Sequence, residues 1–248
     1  MDNYGYDYLN EKILITGGTG YIGKSLLSKY KDKNTITISR NVSKNCIKCD
    51  LTNKNQVKNL SKNFNIKRII NLASFVPKKD SQYYNKKNER NELIIKNIVK
   101  YFKCELIHIS SLAIYEKSAD RPISEKTKII QPLSNYSSSK FNSEKIIIKN
   151  YKAPFLILRI PGIFGGDRKN GLIYNCVKSK INVENFKLKK PIKNWSTMYL
   201  YDVLDILNQS KKIKIYKSDI INVNYKFQMS PIEVVDLILQ LILKKNKF

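Results

Sequence analysis

Histidine is almost missing from this 248-residue chain, which carries one, His108. The four cysteines form a single C-x-x-C, Cys46 and Cys49, with Cys104 and Cys176 standing alone. Zinc wants a second pair or histidine partners, so no metal site is expected, and the thiols read as reduced and structural. His108 lies inside an apolar run and reads as a packing histidine. Long apolar runs are missing too. Leu237–Leu243 is too short to span a bilayer, and the polar start Met1–Asp7 has no apolar leader, so a cytoplasmic protein with no membrane partner is expected. Arginine is scarce: only six of the 46 basic residues, set against 20 acidic ones. The net charge of +26 therefore comes from lysine spread from Lys12 to Lys247 among abundant Asn and Ile. A dedicated nucleic-acid surface would favour arginine, so compositional bias accounts better for the charge, which still steers anionic substrates.

Glycine is sparse as well, and four of the nine glycines fall within Gly17–Gly23. The run Lys12-Ile13-Leu14-Ile15-Thr16 reads as a strand, Gly17-Gly18-Thr19-Gly20-Tyr21-Ile22-Gly23 as a tight turn, and the pattern Ile22, Leu26, Leu27, Tyr30 as a helix. Strand, glycine turn and helix together make a dinucleotide pyrophosphate cradle, with the anion at the helix N-terminus. Thr35–Ser39 alternates as a second strand and ends in Ser39-Arg40 with no acid. An acid there would hold a ribose 2′-hydroxyl, and an arginine accommodates a 2′-phosphate, so NADP(H) is preferred and NAD(H) possible.

Further apolar runs at Cys46–Cys49, Arg68–Ser74, Leu106–Ser111, Phe155–Arg159 and Ile220–Val223 complete the strands, with helical stretches between them. The alternation predicts an α/β fold, a doubly wound parallel sheet with helices on both faces. Ser230-Pro231-x-Glu233 predicts the start of a last amphipathic helix, with Ser at the N-cap and Pro at N1.

Tyr136 and Lys140 stand four apart at the start of a helical run, so they share a face. An ammonium there is expected to pull the phenol below its usual ~10 and make it an acid and base near neutral pH. Spacing alone does not select this pair. Tyr8/Lys12, Tyr83/Lys87 and Tyr174/Lys178 share it, and random placement of so many Tyr and Lys gives about three.

Context selects it. T-G-G-T-G-Y-I-G at 16–23, Ser110-Ser111 followed by Tyr115, and Asn135-Tyr136-Ser137-Ser138-Ser139-Lys140 together resemble the extended branch of the short-chain dehydrogenase/reductase superfamily, with its nucleotide-sugar-modifying members. The resemblance covers nearly the whole chain and implies a Rossmann sheet with a small C-terminal substrate-binding lobe. The expected division is 1–165 and 196–224 for the dinucleotide-binding domain, and 166–195 and 225–248 for the lobe. It implies Tyr136 as proton donor and acceptor, Ser111 orienting the substrate oxygen, Lys140 beside the nicotinamide ribose, and Asn91 supporting Lys140 through water. Cofactor contacts are implied for Gly17, Gly20, Tyr21, Ile22, Gly23, Ser39, Arg40, Asp50, Leu51, Leu72, Ala73, Tyr136, Lys140, Pro161 and Ile163.

Gly162 stands where many relatives have an Asn toward the substrate diphosphate, so Arg168, Lys169 and the cluster Lys189–Lys193 become candidates for that contact. Dehydratases of this family carry an Asp-Glu pair after the catalytic Ser or Thr; here Leu112 and Ala113 follow Ser111, which argues against dehydration. Ser39-Arg40 favours an NADPH-dependent reductase of a nucleotide-linked 4-keto-6-deoxy sugar over a 4-epimerase with bound NAD. A homodimer through the Tyr136 helix is expected by the same resemblance. The reading from another class is a catalytically idle relative that binds nucleic acid.

Overall fold

A computed structural model describes residues 11–30, 32–117, 122–132, 134–182, 196–227 and 229–245. The N-terminal segment Met1–Asp7 and the cluster Lys189–Lys193 lie outside them. In chain order the elements are β1 Lys12–Thr16, α1 Tyr21–Lys29, β2 Thr35–Ser39, β3 Ile47–Lys48, α2 Lys54–Asn63, β4 Ile66–Asn71, α3 Arg90–Tyr101, β5 Glu105–Ser111, α4 Asn135–Asn150, β6 Phe155–Ile160, β7 Gly162–Phe164, α5 Leu172–Ile181, β8 Thr197–Tyr199, α6 Leu200–Ser210, β9 Asp219–Asn222 and α7 Pro231–Lys245.

One seven-stranded sheet runs in the order β3-β2-β1-β4-β5-β6-β9, and every pairing in it is parallel. Because successive strand residues point to opposite faces, β1 sends Leu14 to one side and Ile13 and Ile15 to the other. On the Leu14 side Ile69, Leu106 and Ile157 meet Val57 of α2, Ile94 and Ile98 of α3, and Ile147 of α4. On the opposite side Ile70 and Ile107 meet Leu26 of α1 and Leu204 and Leu207 of α6. Helices on both faces of a parallel sheet are the expected doubly wound arrangement. The strand order turns outward in both directions from β1 and β4, and ligands of such sheets bind at the carboxyl ends there.

Strand β4 is shorter than the apolar run promised. It stops at Asn71, because the Ala73 N–H leaves the ladder to donate to Thr16 Oγ1 at 3.0 Å. Beyond β6, β7 pairs with β8 as a separate two-stranded sheet. Helix α5 packs on α7 through Ile173, Cys176, Val234 and Val235, a small cluster apart from the two sheet cores. The start of α7 is the anticipated capping box: Glu233 N donates to Ser230 Oγ at 3.3 Å and Ser230 N donates to Glu233 Oε2 at 2.6 Å. Among the described residues no helix is long and apolar enough to cross a membrane, and all four cysteines are free.

Candidate active site

A cleft of about 2680 Å³ opens along the carboxyl ends of the strands. Every residue nominated above for cofactor or substrate contact, from Gly17 to Lys169, lines it, as do Ser111, Tyr136 and Lys140. Asn91 does not.

At one end the wall is backbone. Gly17 has φ +73, and a Cβ there would lie 2.9 Å from Ala73 N. A Cβ on Gly23 would come within 2.3 Å of Gly17 O, so the first turn of α1 sits flush on the loop only because both are glycine. Helix α1 has Gly20 at its N-cap with no side-chain cap, and its first turn carries no acid. Its leading N–H groups and the positive end of its dipole are thus left for an external anion. Asp50 Oδ1 accepts from Thr52 N at 2.9 Å and from Thr52 Oγ1 at 2.8 Å, and Asn97 Nδ2 donates to Leu51 O at 2.7 Å. The loop after β3 is thereby fixed from α3.

At the other end the wall is side chain. Ser111 closes β5, and its Oγ accepts from Ala113 N at 3.2 Å, on the cleft wall that Tyr136 also lines. Ser134 caps α4 by accepting from Ser137 N, which places Tyr136 and Lys140 on the buried face of that helix. Lys140 is 4% exposed and its Nζ donates to Ile109 O at 3.0 Å. The expectation that this ammonium depresses the phenol is corrected here. Burial is the dominant influence on Tyr136 and, with the neighbouring Tyr83, pushes it up to about 12, while Ser111 and the Arg168 charge pull the other way. Burial also brings Lys140 down to about 8, against the opposing charge of Glu144. With burial the dominant influence, Tyr136 is a protonated phenol able to donate.

Asn91 stands behind the cleft wall. Its Oδ1 accepts from Phe75 N at 2.7 Å, and its Nδ2 donates to Phe75 O at 3.2 Å and to Ser139 Oγ at 3.0 Å. The amide is engaged in joining the loop after β4 to α4, so Asn91 braces the site.

Three residues passed over in the sequence belong to the site's support. Tyr83, on a 3-10 turn at 80–84, meets Tyr136 edge to face, centroids 5.7 Å apart and planes at 84°. Glu144, one helical turn beyond Lys140, and Arg159 in β6 form a buried ion pair at 2.7 Å, to which Ser110 and Tyr115 also bond. Charges set within the apolar runs Leu158-Arg159-Ile160 and Glu144 to Ile148 were the available signal for the pair. Tyr83 carried none. His108 is a buried bracing residue: Asn71 Nδ2 lies 3.0 Å from its Nδ1, and Thr16 Oγ1 donates to Asn71 Oδ1 at 2.6 Å. Burial, aided by the Lys140 charge, holds its pKa well below the ordinary range.

On the far wall Arg168 Nη1 donates to Ile163 O at 3.2 Å and Nε to Asn170 Oδ1 at 2.7 Å, with its Cζ 5.6 Å from the Tyr21 ring centroid. Gly162 O accepts from Thr197 Oγ1 at 2.8 Å, tying β7 to β8. Leu112 and Ala113 line the cleft next to Ser111 and supply no carboxylate.

Residues 13–208 match the family described as NAD dependent epimerase/dehydratase. A relative named dTDP-D-glucose 4,6-dehydratase, from Dictyostelium discoideum, is 22% identical over 278 residues, which cover 95% of this chain and 63% of that protein. The chain thus spans less than two thirds of that relative's length. Bordetella bronchiseptica WbmG, solved in complex with NAD and UDP, superposes with a TM-score of 0.76 at 18% identity over 94% of this chain and 78% of that one. Bacillus anthracis dTDP-4-dehydrorhamnose reductase, solved in complex with NADP, gives 0.75 at 16% identity over 95% of this chain and 82% of that one. These structures share its fold.

Proposed function

The chain belongs to the NAD dependent epimerase/dehydratase family, and from that footing we propose that it is an NADPH-dependent reductase of a nucleotide-linked 4-keto-6-deoxy sugar. The observation that carries the proposal is the placing of Tyr136: a buried phenol, kept protonated by burial, on the wall of a cleft that Ser111 and Lys140 share and that begins at a glycine cradle. A reductase needs that hydroxyl as a donor to a carbonyl oxygen, with Ser111 orienting the same oxygen. Lys140, charged below about pH 8 and donating to Ile109 O, is the residue proposed to meet the nicotinamide ribose.

The residues present fit a nicotinamide dinucleotide. Gly17, Gly20 and Gly23 leave room where a Cβ would intrude, and the uncapped start of α1 suits the pyrophosphate. Asp50, Leu51, Leu72 and Ala73 border the adenosine side, and Pro161 and Ile163 the nicotinamide side. When bound, that cofactor supplies the hydride; this chain supplies position, the proton and exclusion of water. Arg40 after β2, with no acid beside it, supports NADPH over NADH. Gly162, Arg168 and Lys169 are proposed to meet the substrate's diphosphate, with 166–195 and 225–248 proposed as the substrate-binding part of the chain. A homodimer through α4, the helix carrying Tyr136, is consistent with the exposure of Ile148 on it.

The test is the purified protein with NADPH and a panel of nucleotide-linked 4-keto-6-deoxy sugars. Loss of NADPH absorbance together with a reduced sugar by mass spectrometry is expected. No turnover with any member sinks the proposal. The NAD in the Bordetella protein's structure supports a second reading, a nucleotide-sugar 4-epimerase. NAD released from this protein on denaturation would decide for it.

A further inference from the structure

The lining of the cleft changes character around Tyr136. Lys78, Lys79, Gln82 and Tyr83 form a polar, cationic stretch that reaches Tyr136 through the Tyr83 ring, the two centroids 5.7 Å apart. Beside Ser111 the lining is apolar: Leu112, Ala113 and Ile123, each half-buried. Among the described residues from Ile109 to Glu125, the one charge that lines the cleft is Glu125.

This apolar wall is fixed in place. Leu112–Tyr115 is a 3-10 turn anchored by Ile114 and Tyr115, which are 0% and 1% exposed. Ala113 N donates to Ser111 Oγ at 3.2 Å, so the turn is bonded to the hydroxyl proposed to orient the reacting oxygen, and that hydroxyl keeps its own proton for the oxygen. The Tyr115 hydroxyl lies 3.2 Å from both Ser124 O and Asn222 Oδ1, and Asn222 N donates to Glu125 Oε1 at 2.6 Å. The segment carrying Ile123 is thereby tied to the same turn, with its nearest carbonyl occupied. Asn222 Nδ2 is buried out of reach of solvent.

A hexose reduced at C4 has two ring neighbours at that carbon, C3 and C5, and the C6 group lies only two bonds away through C5. The wall adjoining Ser111 therefore meets one of these two corners. In a 6-deoxy sugar the C5 corner ends in a methyl, while hydroxyls occupy the rest of the ring. A methyl matches Leu112, Ala113 and Ile123, whereas a hydroxyl pressed on them gives up its water partners. A carboxylate would lose more hydration and would also face the like charge of Glu125.

We infer that Leu112, Ala113 and Ile123 form a specificity wall for the C6 methyl of the substrate sugar, selecting 6-deoxyhexoses over 6-hydroxy sugars and, more strongly, over uronates. The wall rests on the reductase reading above and deepens it by assigning residues to the 6-deoxy preference.

Calorimetric titration with matched nucleotide sugars tests it without turnover. In the UDP, dTDP, GDP and CDP series the probes are D-fucose, D-galactose and D-galacturonate on the same nucleotide, with the free nucleoside diphosphate as reference. Wild type is expected to bind the fucose compound roughly tenfold tighter than the galactose compound, and the galacturonate weakest. Leu112→Asn and Ile123→Thr should each narrow the fucose-to-galactose ratio to less than about threefold, while the free nucleoside diphosphate binds as in wild type. Equal wild-type affinity for the fucose and galactose compounds overturns the wall and leaves the reductase reading to its own turnover test. A wild-type preference that persists in full in both variants overturns the assignment to these residues. A wild type that binds no member of any series, nor any free nucleoside diphosphate, overturns the nucleotide-sugar reading and the wall with it.

Discussion

At the glycine-loop end of the cleft the working surface is backbone, while at the Tyr136 end it consists of buried side chains drawn from β5, α4, β6 and a distant 3-10 turn. The first end is governed by space: a Cβ on Gly23 would lie 2.3 Å from Gly17 O, whatever the ionic state of the protein. The second is governed by charge in a dry setting, where Tyr136 is held near 12 and Lys140 near 8. Shape is decided by residue type at one position. Protonation is decided by every neighbour at once, and the sum here opposed what the Tyr136/Lys140 spacing alone suggests.

The largest separation between the two ends comes from Tyr136→Phe. Removing the proton donor while keeping the ring should lower turnover by about 10²–10⁴ and leave cofactor affinity within about twofold, read by steady-state kinetics beside calorimetry. A comparable loss of cofactor affinity would mean that the ends are not independent. Gly23→Ala probes the other end. The added methyl must push the loop or α1 aside at a cost of about 1–3 kcal/mol, so cofactor binding should fall while the proton-transfer residues remain as they are. An alanine protein that binds cofactor normally would show that the cradle is not used.

The same contrast explains what could be read from the sequence. The glycine loop, the strands and the capping box of Ser230 and Glu233 follow from local residue type, and the structure has them where the pattern put them. Ser111, Tyr136 and Lys140 were locatable because strand end and helix start have recognisable neighbours. The role of Asn91 was not, since its partner Phe75 is chosen by how the loop after β4 folds back on α3. Nor was the Glu144–Arg159 pair that underlies Lys140, because it joins a helix to a strand across the sheet face. Tyr83 reaches Tyr136 only because Asn88 holds its turn, donating to Gln82 O at 2.9 Å and Tyr83 O at 3.3 Å.

Lys140 gives a stability signature of the charge-governed end. Its folded pKa, about 8, lies below its ordinary 10.5, so between those values the unfolded chain binds a proton that the folded protein does not. Stability therefore rises with pH across that window, and the cost of burying the charged form is present in full below it. Raising the pH from 8 to 9 should add roughly 1 kcal/mol to wild type relative to Lys140→Met, measured by urea unfolding of both proteins at each pH. Parallel curves for the two would show that Lys140 is not desolvated.

The smallest effect is the sharpest test of how far the charge balance extends. Tyr83→Phe keeps the edge-to-face ring and deletes only the second phenol, whose charge is among the causes that raise Tyr136. The alkaline limb of the pH–rate profile should therefore shift downward by a fraction of a unit, with turnover changed by less than about threefold. Tyr83→Ala removes the ring as well, admitting water to the face of Tyr136 and relieving part of the burial that dominates its pKa. Its downward shift should exceed that of the Phe variant. If both variants shift the limb equally, the phenol rather than the ring is what Tyr83 contributes. If neither moves it, Tyr136 owes its protonated state to β5 and α4 alone, and the 3-10 turn is only a wall.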